Sequence, residues 1–118
     1  MEYFQRTGER VEGRYVFDLD LSDEDCSYDI SFFTRIDKPL LRNVADTSFR
    51  LAVNWTSDQG DILDEAVWFP IDSTQVLYRK GVSMVNPGIW TLCVETIGEP
   101  VGMRGLGIIC KRNENGTR

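Results

Sequence analysis

Apolar and polar residues alternate through most of the chain. In YVFDLDL, Tyr15, Phe17, Leu19 and Leu21 share one face and Val16, Asp18 and Asp20 the other, the period of a strand with one buried side. SDEDC interrupts the pattern with the turn-forming residues Ser22 to Asp25. SYDISFFTR resumes it, with Tyr28, Ile30 and Phe32 inward and Asp29, Ser31 and Arg35 outward. SFRLAVNW directs Phe49, Leu51, Val53 and Trp55 to the core, and IWTLCVET does the same with Trp90, Leu92 and Val94. EAVWFPI predicts a short strand at an edge or ending at Pro70, and TQVLYRKG a brief strand closed by Gly81. LGIICKR is the last strand.

The segments between are punctuated by turn chemistry. TSDQGD and NPG read as loops. DKPLLRNVADT, residues 37–47, carries a proline and no sustained alternation, so a connection holding a short helical turn is expected there. No stretch of ten residues keeps a 3.6-residue period. Short strands at this spacing, each with one apolar face, predict an all-β fold, an antiparallel two-sheet β-sandwich, with a jelly roll as one form of it. The expected organisation is a tail or linker over 1–13, one β-sandwich domain over 14–112, and a disordered polar tail over 113–118.

Composition narrows the function. The 118 residues are 42% hydrophobic and 27% charged, enough for one domain with its own core. Apolar runs are far shorter than the ~20 residues that cross a bilayer. The net charge of −6 and the scattered arginines argue against nucleic acid or an anionic membrane surface as partner. Histidine is absent, which removes imidazole as general base, triad member or zinc ligand in this chain. No cofactor is expected. The opening MEYFQRTGERVEGRYVF has neither a basic n-region nor an apolar h-region, so the chain is expected to be cytosolic or a mature fragment.

Several residues are candidates for binding. The acidic loop SDQGDILDE gathers Asp58, Asp61, Asp64 and Glu65 around Gly60. Calcium takes such carboxylates, but the EF-hand spacing fails and a solvated acidic turn is the expected reading, with no metal. Asp18 and Asp20 stand about 6.5–7 Å apart on one strand face, a separation compatible with a carboxylate-based hydrolase. The same spacing occurs on any solubilising strand, so an enzyme ranks last. Trp55 and Trp90 fall in register with core residues, whereas Trp68 is followed directly by Phe69, so one of these two rings must point outward. An exposed Trp68 would suit carbohydrate. Arg104, flanked by glycine on one side and exposed to a turn, could reach a partner carboxylate. If 89–96 and 106–112 formed a hairpin, Cys93 and Cys110 would be equidistant from its turn and could form a disulfide.

The glycine-rich GEPVGMRGLGIICKR, residues 98–112, superficially offers a phosphate cradle. That requires a helix after the glycines, and IICKRNENG is too short and β-branched to be one. Taken with its neighbours, GIWTLCVETIGEPVGMRGLGIICKR resembles the C-terminal signature of gliding-motility lipoproteins of the GldH type. Val101-Gly102-Met103 and Leu106-Gly107-Ile108-Ile109 stand at its motif positions. YDISFFTRID and FRLAVNWTSDQGDILDEAVWFPI are similar to that family's earlier strands. The resemblance implies a non-catalytic ectodomain in the bacterial cell envelope, on the periplasmic face or the surface of the outer membrane. It would be tethered by a lipidated N-terminal cysteine that lies outside this chain, and would contact other proteins of a motility or secretion assembly. A small carbohydrate- or ligand-binding module is the alternative.

Overall fold

In the computed structural model the residues described are 1–23, 25–37, 48–71, 73–84 and 86–114. Among them run eight strands: β1 (Glu2–Arg6), β2 (Tyr15–Leu21), β3 (Cys26–Ile36), β4 (Ser48–Ser57), β5 (Ile62–Pro70), β6 (Gln75–Val82), β7 (Gly88–Ile97) and β8 (Met103–Glu114). They form two four-stranded antiparallel sheets packed as a sandwich. Sheet I has the order β1-β8-β3-β6 and sheet II the order β2-β7-β4-β5. Consecutive strands change sheet at every step except β4 to β5, the order of an eight-stranded jelly roll.

The alternation places the core. Tyr15, Phe17, Leu19 and Leu21 of β2, Tyr28, Ile30 and Phe32 of β3, Phe49, Leu51, Val53 and Trp55 of β4, and Trp90, Leu92 and Val94 of β7 are all buried between the sheets. Aromatic pairs join neighbouring strands on the inner face of sheet II. Phe49 and Phe69 stack at 5.2 Å, and the Trp55 and Trp90 rings meet edge to face at 5.9 Å. Leu106, Ile108 and Cys110 of β8 complete the opposite wall.

Four expectations need correction or limit. Residues 113 and 114, read as the start of a disordered polar tail, are the last of β8 and pair with Ser27 and Cys26 of β3. Residues 2–6, read as part of a tail, form β1, with Tyr3 opposite Ile108 and Phe4 opposite Gly107. Their short polar-rich run gives no period to detect, and β8 supplies the pairing. Strands β7 and β8 are not hairpin partners, because they belong to opposite sheets. The Cys93–Cys110 disulfide expected from that hairpin is therefore not formed: both thiols are free, Cys93 on the outer face of sheet II and Cys110 in the core. The chain instead crosses between sheets over residues 98–102, where Gly102 adopts φ 92° and its carbonyl accepts a hydrogen bond from the Asp37 amide at 2.9 Å. A Cβ at Gly102 would lie 2.8 Å from the Asp37 carbonyl oxygen. The helical turn expected within 37–47 lies, but for Asp37, outside the described residues.

Candidate functional site

The outer face of sheet I departs from the polar surface that a solvated sheet face normally carries. Read across the strands, one row is Glu2, Ile109, Ser31 and Leu77, and the next is Phe4, Gly107, Phe33 and Gln75. A third holds Arg6, Gly105 and Arg35. Phe4 and Phe33 stack at 5.8 Å across the bare backbone of β8. The Arg35 guanidinium lies 5.5 Å from the Phe4 ring centre, within the range of a cation–π contact.

Glycine makes this arrangement possible. A Cβ at position 107 would sit 2.1 Å from Cζ of Phe33, and one at position 105 would sit 2.2 Å from the Gln5 carbonyl oxygen and 2.7 Å from Cζ of Phe4. Two of the glycines that had suggested a phosphate cradle are therefore seats for neighbouring rings, the use that a strand-interior glycine commonly has. Ile109 is half-buried beside them and Leu77 is exposed. Together Phe4, Phe33, Ile109 and Leu77 form an apolar patch with Arg6 and Arg35 at one end.

The candidates read from the sequence are scattered. Trp68 is 63% exposed on the outer face of sheet II, opposite Arg50, while Phe69 turns inward. Asp64 shares that face, where its carboxylate accepts a hydrogen bond from the Asn54 amide at 2.7 Å. Asp61 is structural: it accepts from the Ser57 hydroxyl at 2.9 Å and the Asn86 amide at 3.0 Å, tying the β4–β5 turn to the loop before β7. Asp58 lies beside Gly88. Asp58, Asp61 and Asp64 are thus not brought together, and no group of carboxylates and thiols among the described residues converges as metal ligands would. Arg104 reaches a carboxylate of its own chain, Asp37, at 3.1 Å in an exposed pair. Asp18 accepts from the Thr91 hydroxyl at 2.6 Å, and Asp20 bonds Ser22.

The surface hollows among the described residues include two that lie near these candidates. One, of about 370 Å³, is lined on the outer face of sheet II by Arg14, Ala52, Asn54, Asp64, Cys93 and Glu95. The other, of about 460 Å³, lies against Asp20, Ser22, Asp23, Tyr28 and Arg112. There the Asp23 carboxylate is already engaged by the Asp25 amide, the Cys26 thiol and Arg112. The first two of these contacts hold its pKa below the ordinary carboxylate value.

A polar chain runs between the edge strands β5 and β6. The Trp55 indole N–H donates to the Tyr78 hydroxyl at 2.7 Å, and that hydroxyl donates to Glu65. Glu65 is also ion-paired with Arg79, whose guanidinium lies 4.8 Å from the Tyr78 ring centre. Burial pushes the Tyr78 hydroxyl up to about 12, with the indole bond acting weakly the other way.

No family model, curated protein or solved structure matches this chain. The apolar face of sheet I was not among the residues singled out from sequence. Its signal was present in two features: Phe33 sits out of phase with Phe32, and two glycines occupy the outward positions 105 and 107 of one strand.

Proposed function

We propose that this chain is a non-catalytic β-sandwich of the bacterial cell envelope, similar to gliding-motility lipoproteins of the GldH type, that acts through protein–protein contact. The observation that supports it is the ring-covered outer face of sheet I, where Phe4, Phe33, Ile109 and Leu77 stand on a surface that solvation alone would keep polar. An apolar patch rimmed by charge is the usual mark of a protein contact, and aromatic residues beside arginine are the composition of binding hot spots. Gly107, one of the residues that carry the resemblance, is the seat of the Phe33 ring.

The reading is tested with the native gene product in its own cells. A photo-crosslinking residue at Leu77 is expected to trap one envelope protein reproducibly, and Leu77→Arg to abolish the crosslink formed from a probe at Gln75. A protein that fractionates with the cytosol, or crosslinks unaffected by Leu77→Arg, overturns it.

A second reading, carbohydrate binding, is favoured by the exposed Trp68 on the same face as the hollow between Asn54, Asp64, Glu95 and Arg14. On that reading a glycan array gives hits and the bound sugar quenches tryptophan fluorescence in the parent but not in Trp68→Ala. No hits on a broad array dismiss it.

A further inference from the structure

We infer that β5 is a self-association edge, at which a second copy of this chain adds its own β5 antiparallel across a twofold axis. This contact is independent of the sheet I face proposed above. The sandwich has four edge strands, β1 and β6 in sheet I and β2 and β5 in sheet II. A sheet edge is a template for another strand unless something blunts it.

Three of the edges are blunted. Strand β1 has five residues and charged ends, Glu2 and Arg6. Strand β2 carries Asp18 and Asp20, and its free side is covered by Gln5, whose side-chain amide donates to the Val16 carbonyl at 2.5 Å and accepts from the Val16 amide at 3.0 Å. Strand β6 is irregular, with register shifts opposite Tyr28, Ile30 and Ser31, and bears Arg79 and Lys80. Its Gly81 amide is taken by the Asp29 carboxylate at 2.7 Å.

Strand β5 carries charge too, but it is neither short nor irregular. Its nine residues pair with β4 without a register break, from Ser48–Pro70 to Thr56–Ile62. Among the described residues, no side chain bonds to the β5 backbone. Ile62, Leu63 and Trp68 are exposed at 69%, 47% and 63%. Of its two carboxylates, Glu65 is directed inward and neutralised by Arg79, and Asp64 is held to Asn54 on the sheet face. Proline comes only at the end, as Pro70.

The sequence of β5 also fits a copy of itself. A twofold pairing that keeps each face continuous must place one residue opposite itself. Full overlap of residues 62–70 puts Ala66 on the axis. Asp64 then opposes Trp68 of the second copy, Glu65 opposes Val67, and Ile62 opposes Pro70, so no carboxylate faces another. Shifting the axis to Glu65 or Asp64 would set like charges directly opposite, which is destabilising. Ala66, exposed and small, allows the closest approach at the centre.

Sedimentation velocity on the whole chain, from micromolar to millimolar, tests this. A reversible monomer–dimer equilibrium is expected, with no larger species. Because Ala66 faces solvent, Ala66→Lys and Ala66→Glu should fold normally by circular dichroism and melting. Each alone should weaken the dimer by at least about tenfold, by setting like charges on the axis. Mixed in equal amounts, they should restore it as a heterodimer. A chain that stays monomeric at millimolar concentration overturns the inference. So does a dimer insensitive to both variants, a dimer broken by Leu77→Arg instead, or a ladder of higher oligomers, which would mean β5 pairing with β6.

Discussion

Replacing Gly107 with alanine should reverse the sign that strand propensity alone would give. In an ordinary strand interior, Gly→Ala stabilises by about 0.5–1 kcal/mol because the unfolded chain has less freedom to lose. Here the new Cβ would stand 2.1 Å from Cζ and 2.3 Å from Cε1 of Phe33, well inside contact distance. The ring must therefore swing away from β8, giving up its place against Phe4. Overpacking of this kind costs about 1–3 kcal/mol. The two effects leave a net loss of up to about 2.5 kcal/mol, or a fall in Tm of up to about 10 °C for a domain of this size. Urea unfolding of Gly107→Ala, Phe33→Ala and the double variant separates the contributions. With the ring removed nothing obstructs the Cβ, so Gly107→Ala should become neutral or stabilising in the Phe33→Ala background. Gly105→Ala should cost more than Gly107→Ala, since the obstacle there is the backbone oxygen of Gln5 and β1 itself must give way. A Gly107→Ala variant more stable than its parent, or equally damaging with and without Phe33, would refute the ring-seat account.

Tyr78→Phe strands the buried Trp55 N–H and should cost about 1–3 kcal/mol at neutral pH. Because the folded Tyr78 keeps its proton up to about 12 while the unfolded chain releases it near 10.0, its stabilisation is complete below pH 10 and is lost as pH rises toward 12. Parent and variant stabilities, measured in urea across that range, should converge; a constant gap would show that Tyr78 is not the titrating group. Alkylation without reductant should label Cys93 first, since it is half-buried on a sheet face. Cys110, buried and with its thiol pushed up by desolvation, should react only slowly. A peptide linking the two, found by mass spectrometry, would contradict the separation of β7 from β8. Arg104→Ala should lower stability by no more than about 1 kcal/mol in a thermal melt, because its pair with Asp37 is exposed; a larger loss would assign Arg104 a role beyond that pair.

Much of the fold was legible in the chain. Each core strand announced its inward face by period-two alternation, because a sheet side chain has only two directions and one of them is dry; Tyr15 to Leu21 and Phe49 to Trp55 needed nothing more. The inward Phe69 and outward Trp68 were likewise a choice between two, which the pairing with β4 resolved. What alternation cannot carry is partnership between strands. The hairpin drawn between β7 and β8 would have set core Leu92 against Lys111, and it does not form: Gly98 and Gly102 turn the chain over the sandwich edge into the other sheet, which separates Cys93 from Cys110.

The surface features belong to the tertiary structure for the same reason. Gly105 and Gly107 read locally as empty positions, and only the approach of β1 and β3 from either side fills them with Phe4 and Phe33. The acidic residues 58, 61 and 64 are close in sequence, but the turn and the strand face send them to different partners. The sequence by itself determined the inward face of the core strands, because that face follows from local period and hydrophobicity. Which strands become neighbours, and so which residues meet on a face or remain at an open edge, was decided only by the closure of the two sheets over a shared core.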